Sequence, residues 1–253
     1  MTSVSQVLRR YGSQYLAKYR DRMPIEQQKV LQAVMRCRTG GLGTVHFQCA
    51  QCGTLHVYGK SCGNRHCPLC QSEKSQQWLD SQVEKLLPCP YFLITFTVPP
   101  EVRPVIRRHP RKCYEALFRA SSATLKLLAQ DERFVGTRLP GFTGVLHTWG
   151  RDLTYHPHIH YVVAGGGVSP DCSEWKAARV NYFVPEKCLS VIFRAKFRDE
   201  LKAAGLLSLV PTTAWTRGWV VDSEAVGTGA STFEVSGRLY VPCGDYRESS
   251  DCL

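Results

Sequence analysis

His156-Pro157-His158-Ile159-His160-Tyr161-Val162-Val163-Ala164 runs directly into Gly165-Gly166-Gly167. Most of the run is apolar, β-branched or aromatic, and a glycine cluster closes it, which is how a strand reads. Side chains alternate along a strand, so His156, His158 and His160 share one face while Ile159 turns to the other. A single histidine there would be ordinary packing. Three at period two are costly to place together unless they hold a metal or move protons, because neutral imidazole is a common metal ligand near pH 7. His158 and His160 form the best pair for one divalent cation, acting together as a catalytic site. His156 and His147 are both candidates for a third ligand or a supporting role, and the spacing does not choose between them.

Further strands follow from the same reading. Tyr91 to Val98 is β-branched and aromatic between prolines, and Gly144–Trp149 and Trp215–Val221 are two more candidates. Helical periodicity marks residues 5–38, with Pro24 suited to a helix start. It marks Lys74 to Leu87, stopped by Pro88-Cys89-Pro90, and also residues 112–131 and 186–204. The class expected is α+β, with a small sheet covered by helices in the second half. Three segments are expected: an N-terminal helical and cysteine-rich module over 1–88, a sheet domain over 89–233, and a tail over 234–253.

Between them lies the densest cysteine chemistry. Cys49-Ala50-Gln51-Cys52 and Cys67-Pro68-Leu69-Cys70 are two paired knuckles separated by fourteen residues. Four thiolates so arranged suit a closed tetrahedral zinc site. The expected structural zinc ligands are therefore Cys49, Cys52, Cys67 and Cys70, with zinc folding a short module that lacks a core of its own. Cys62, His66, His46 and His56 lie inside or beside the cluster and rank behind those four. Cys37, Cys89, Cys113, Cys172 and Cys188 read as scattered structural residues.

Thirty-two Lys and Arg against 21 Asp and Glu give a net charge of +11, which favours a polyanionic partner. The polar opening segment from Met1 to Arg22 has no apolar stretch of the secretory type, and no run approaches the ~20 apolar residues of a membrane span. A reduced, cytoplasmic compartment is the expectation, where clustered cysteines bind metal rather than pair.

Several segments taken together resemble the two-tyrosine insertion-sequence transposases, bacterial enzymes of the HUH nuclease class. They are Cys49-x2-Cys52, the string Ser61-Cys62-Gly63-Asn64-Arg65-His66-Cys67-Pro68-Leu69-Cys70, and Leu93-Ile94-Thr95-Phe96-Thr97-Val98-Pro99. His147-Thr148-Trp149-Gly150, His156-Pro157-His158-Ile159-His160 and Gly165-Gly166-Gly167 complete the set. The likeness spans roughly residues 5–230. It implies a zinc-binding module ahead of an antiparallel nuclease sheet flanked by helices, with Mg2+ or Mn2+ at the histidines. It also implies single-stranded DNA at element ends as substrate, cut when tyrosine hydroxyls attack a phosphodiester to leave a 5′-phosphotyrosyl link.

One family element is missing from its expected place. The tyrosine pair of the family follows the histidine strand in a helix reading Lys-Tyr-Leu-Ala-x-Tyr, and no such string occurs here. Tyr240 and Tyr246 are six apart with Pro242 and Gly244 between them, and so cannot share a helix face. Permitted codons can be chosen for the stretch from Glu234 onward such that reading one base later gives Lys-Tyr-Leu-Ala-Ala-Tyr. The expectation is a frameshift near codon 234, an out-of-frame tail and no assigned nucleophile. Two other readings compete: a zinc-dependent DNA-binding protein without catalysis, and a histidine-triad nucleotide hydrolase, whose alternating pattern His156–Val162 loosely satisfies.

Overall fold

The computed structural model describes residues 3–150, 152 and 154–229. The tail expected over 234–253, with Tyr240 and Tyr246, lies outside the described residues. Two compact units divide the rest between Ser81 and Gln82, seven residues ahead of the expected boundary at 88.

The first unit opens with α1 (Val4–Tyr19) and α2 (Ile25–Arg36). Ser3 caps α1: its hydroxyl accepts from the Gln6 amide, and the Gln6 side chain accepts from the Ser3 amide. Strands β1 (Thr44–Gln48) and β2 (Leu55–Gly59) then zip into an antiparallel hairpin, Thr44 opposite Gly59 and Gln48 opposite Leu55. The sequence reading had no hairpin here. Its stem closes where the Arg38 amide donates to the Lys60 carbonyl at 3.0 Å. Gly59 is obligatory at that point, since a Cβ would stand 2.5 Å from the Gly40 nitrogen. Helix α3 (Pro68–Val83) follows and runs across the division between the units. Few apolar residues of this unit are buried. Val34, Cys37 and Cys67 form its core, with Leu8, Val30, Cys62, Leu69 and Cys70 packed against them. Thiols occupy the place that hydrophobic side chains would fill in a larger module.

The second unit is a five-stranded antiparallel sheet with helices against it. Strands β3 (Tyr91–Thr97), β4 (Leu139–Trp149), β5 (Tyr155–Val168), β6 (Trp175–Ala177) and β7 (Val220–Ala225) run in the order β4-β5-β3-β7, with β6 paired to β5. Between them lie α4 (Arg103–Arg108), α5 (Pro110–Ala129), α6 (Glu186–Ala203) and the short α7 (Thr213–Thr216). The fold is α+β. The expected strand at Trp215–Val221 is corrected: residues 213–216 turn as α7, and pairing with β3 begins only at Val220. Trp219 is drawn into the core instead, its indole N–H donating to the Ala214 carbonyl at 2.9 Å.

Alternation along β3 and β5 separates two faces. Phe92, Ile94, Phe96, Ile159, Tyr161 and Val163 are buried in one cluster with Leu117 and Leu125 of α5 and Leu189, Phe193 and Phe197 of α6. Phe96 meets the Tyr161 ring edge-on at 5.8 Å, and the Tyr161 hydroxyl bonds the Ser121 hydroxyl at 2.8 Å. Thr95, Thr97, His158 and His160 occupy the alternate positions and belong to the opposite face. Among the described residues no helix is long and apolar enough to cross a membrane.

Candidate metal centres

Among the described residues, two groups of side chains have the geometry of metal ligands. In the first unit the thiols of Cys37, Cys62, Cys67 and Cys70 place all four sulfurs within 4.8 Å of one another. Cys37 Sγ lies 3.5 Å and Cys62 Sγ 3.7 Å from Cys70 Sγ. Four sulfurs at ~2.3 Å from a tetrahedral zinc would be about 3.8 Å apart, so the set fits the ion with little adjustment. Backbone N–H groups support it: Cys62 N donates to Cys37 Sγ and Asn64 N to Cys62 Sγ. Burial pushes the Cys62 thiol up to about 12 and raises Cys37 as well. At Cys70 burial is opposed by bonds from the Cys37 and Cys62 thiols, which bring it down to about 7. Such a group sheds its protons readily only when a cation replaces them.

These are not the four expected cysteines. Cys67 and Cys70 are shared, but Cys49 and Cys52 stand at the tip of the β1–β2 hairpin, outside the group. The reason is the hairpin itself. Zipping Thr44–Gln48 onto Leu55–Gly59 carries the 49–54 turn away from the stem, while the Arg38–Lys60 bond brings Cys37 beside Cys62. Short x2 spacing suggested two knuckles of one site, whereas pairing across the hairpin decides which thiols meet. Cys37 had been read as scattered. The available signal was the alternation of Thr44-Val45-His46-Phe47-Gln48 and Leu55-His56-Val57-Tyr58 on either side of a turn, with Cys37 and Cys62 flanking both. His46 bonds the Thr44 hydroxyl at 3.0 Å, His56 stacks on Tyr58, and His66 is exposed beside Arg65. None of the three joins the thiol group.

The second group is on the sheet. β5 sits between β4 and β3, and its register places His158 opposite both His147 and Thr97, and His160 opposite Val145 and Thr95. Cross-strand partners share a face, so His147 joins the pair from the neighbouring strand. Ring centroids of His147 lie 5.3 Å from His158 and 4.6 Å from His160, and His158 and His160 are 4.8 Å apart. One ring nitrogen from each falls within 4.8 Å of the others. His156 continues the row, 5.1 Å from His158, but is not part of that group.

Hydrogen bonds orient the rings as ligands. A carbonyl can only accept, so His158 Nδ1 donates to the His156 carbonyl at 2.6 Å, leaving Nε2 with its lone pair. His160 Nδ1 is 2.8 Å from the Thr95 hydroxyl. His147 Nε2 is buried with no hydrogen-bond partner among the described residues, an orphan that a cation would satisfy. Burial, then repulsion between neighbouring imidazoles, holds His160 down to about 3 and His147 to about 4, and burial likewise lowers His158. All three rings are therefore neutral near pH 7, the form that binds metal. The donor set fits a divalent cation with coordination positions left over.

Comparisons with known proteins bear on both groups. Residues 7–98 match a family described as a transposase zinc-binding domain, and residues 141–241 match one described as a putative transposase. Both matched segments of the chain are thus similar to parts of transposases. A putative transposase, y4qJ, of Sinorhizobium fredii is 40% identical over 201 residues, covering 79% of this chain and 50% of its own length. The transposase for insertion sequence element IS801 of Pseudomonas savastanoi pv. phaseolicola is 34% identical over 145 residues, covering 56% of this chain and 34% of its own. The chain thus spans half or less of the length of these curated relatives. No solved structure matches it significantly. The zinc-binding match and the four-thiol group together support a structural Zn2+ in the first unit.

Proposed function

We propose that this chain is the DNA-binding part of a mobile-element transposase, with a structural zinc held by Cys37, Cys62, Cys67 and Cys70. In this reading His147, His158 and His160 hold Mg2+ or Mn2+ against a phosphodiester of single-stranded DNA. The observation that carries it is the convergence of three neutral, half-buried ring nitrogens within 4.8 Å on one face of β4 and β5. The cation, when bound, supplies Lewis acidity to the scissile phosphate. The chain's own residues supply the rest. The His156 carbonyl and the Thr95 hydroxyl fix two of the rings, and the apolar face carrying Ile159 anchors the strand so that the ligands do not swing.

In the reaction proposed for the whole enzyme, a tyrosine oxygen bonds to phosphorus as the bond to the 3′ oxygen breaks. The phenol proton ends on the 3′-OH, and the energy of the phosphodiester is kept in the phosphotyrosyl link. Among the described tyrosines, Tyr155 bonds Tyr114 and Tyr161 bonds Ser121, both with the core. The nucleophile remains unassigned in this chain, and strand cleavage is expected to be weak. A cytoplasmic setting, where thiols stay reduced, suits the four-cysteine site.

Incubating the chain with labelled single-stranded DNA and Mn2+, then running a denaturing gel, tests the proposal. DNA retained reversibly with Mn2+ bound is the expected result, and a covalent adduct would identify a nucleophile within the chain. A protein that binds neither Mn2+ nor DNA would refute it.

A further inference from the structure

Beside the three imidazoles lies a cleft of about 390 Å3, lined among others by Thr97 at the end of β3, Arg103, His156, Arg217 and Trp219. No carboxylate lines it. Glu101 sits at its margin, where Arg217 Nη1 donates to Glu101 Oε1 at 2.6 Å and that guanidinium is pinned. Arg194 Nη1 reaches the carbonyls of Trp215 and Arg217 at 3.3 and 3.4 Å, bracing the segment that carries it.

Arg103 has no such ion pair among the described residues, and it opens α4 immediately after the Val98-Pro99-Pro100 corner. Its side chain is half-buried, with Nε sealed from solvent and lacking a hydrogen-bond partner among the described residues. Its charge is felt at the rings of His156 and His158. Withholding water from a cationic N–H without giving it an acceptor is costly, and native structures seldom tolerate it without a reason. Here two guanidinium groups line a cleft next to a row of imidazoles, and the carboxylate at its margin, Glu101, is already paired with Arg217 while feeling the Arg103 charge. A planar guanidinium matches two non-bridging phosphate oxygens, which a free anion or a nucleic-acid backbone both offer.

We propose that Arg103, with Arg217 beside it, binds a backbone phosphate of single-stranded DNA in the cleft adjoining the His147–His158–His160 centre. The assignment rests on the reading of that centre as a DNA-phosphate site. Arg103 donates from its terminal Nη groups to the phosphate oxygens, while Arg217, already shared with Glu101, contributes mainly field. The phosphate so held is a neighbour of the one at the imidazoles, which fixes the direction of the strand across β5 and β3.

The test uses the full chain with zinc and Mn2+, and a short fluorescein-labelled single strand of mixed sequence. Affinity is measured against KCl concentration for wild type, R103Q, R103K and R133A, the last removing an exposed arginine paired with Asp131. R103Q is expected to bind roughly tenfold more weakly, with the slope of log affinity against log salt shallower by about 0.7. R103K should keep the slope and lose part of the affinity, and R133A should match wild type. R103Q equal to wild type in both readings, or R133A falling as far as R103Q, overturns the proposal. Should R103Q not fold, R103K decides, since wild-type affinity in that variant also overturns it. Mn2+ uptake is followed in parallel by electron paramagnetic resonance. A wild type that takes up no Mn2+ removes the metal reading, while the R103Q comparison still stands on its own.

Discussion

Replacing Thr95 by Val removes one oxygen from the sheet and little else, since the two side chains are nearly equal in shape. That oxygen lies 2.8 Å from His160 Nδ1. With Nε2 turned to the cation, Nδ1 carries the proton and needs an acceptor, so the variant leaves a buried N–H unsatisfied and frees the ring to rotate. Outer partners of this kind typically contribute 10- to 100-fold in metal affinity, or about 1.4–2.8 kcal/mol. Thr97 is the internal control. It faces His158 across the same ladder, but His158 Nδ1 already donates to the His156 carbonyl at 2.6 Å. Titrating Mn2+ into T95V, T97V and wild type should therefore show a loss of at least tenfold for the first and less than twofold for the second. Urea unfolding in EDTA checks that both variants remain folded. Equal affinities for T95V and wild type would refute the claim that Thr95 orients a metal ligand.

Three further outcomes are expected. C37S and C62S should lower the zinc content of purified protein towards zero, while C49S and C52S should retain about one ion per chain, as read by metal analysis after dialysis. The reverse pattern would return the site to the hairpin tip. Stripped of divalent metal, the second unit should lose stability on acidification: burial first, then neighbouring imidazoles, hold folded His147 at about 4 and His160 at about 3, below the usual 6.5. The unfolded chain then binds more protons, so stability is full above about 6.5 and falls as pH drops towards 4, and a urea midpoint unchanged between pH 7.5 and 5 would contradict this. Y161F removes the hydroxyl bonded to Ser121 and should cost about 1 kcal/mol in urea unfolding, with Mn2+ affinity unchanged, because Ser121 keeps its bond to the Leu117 carbonyl.

Strands β3 and β5 were legible because period-two alternation and β-branched content act locally. Three imidazoles on one face followed from the same rule. What a single strand cannot reveal is its register with the next one. Only the pairing of His147 with His158 decides that His147, rather than His156, completes the ring-nitrogen group. The thiols teach the same lesson over a longer distance: Cys37 and Cys62 meet through a hairpin stem that neither residue announces. Trp215–Val221 misled because aromatic and β-branched residues also suit a segment whose tryptophan is buried, and Trp219 stacks with Trp215 at 5.5 Å instead of lying in a ladder. Arg103 was invisible for another reason. A buried guanidinium nitrogen without a partner is a property of its surroundings, and basic residues are common throughout the chain.

β5 carries Ile159 and Tyr161 into the interior and His158 and His160 outward, in strict alternation. Slipping the strand by one position against its neighbours would bury imidazoles among phenylalanines and present isoleucine to water, so no near-miss pairing can persist. Correct burial and ligand presentation are therefore a single event for this strand. A chain that has assembled its interior has also set out its row of imidazoles, without any separate step of maturation.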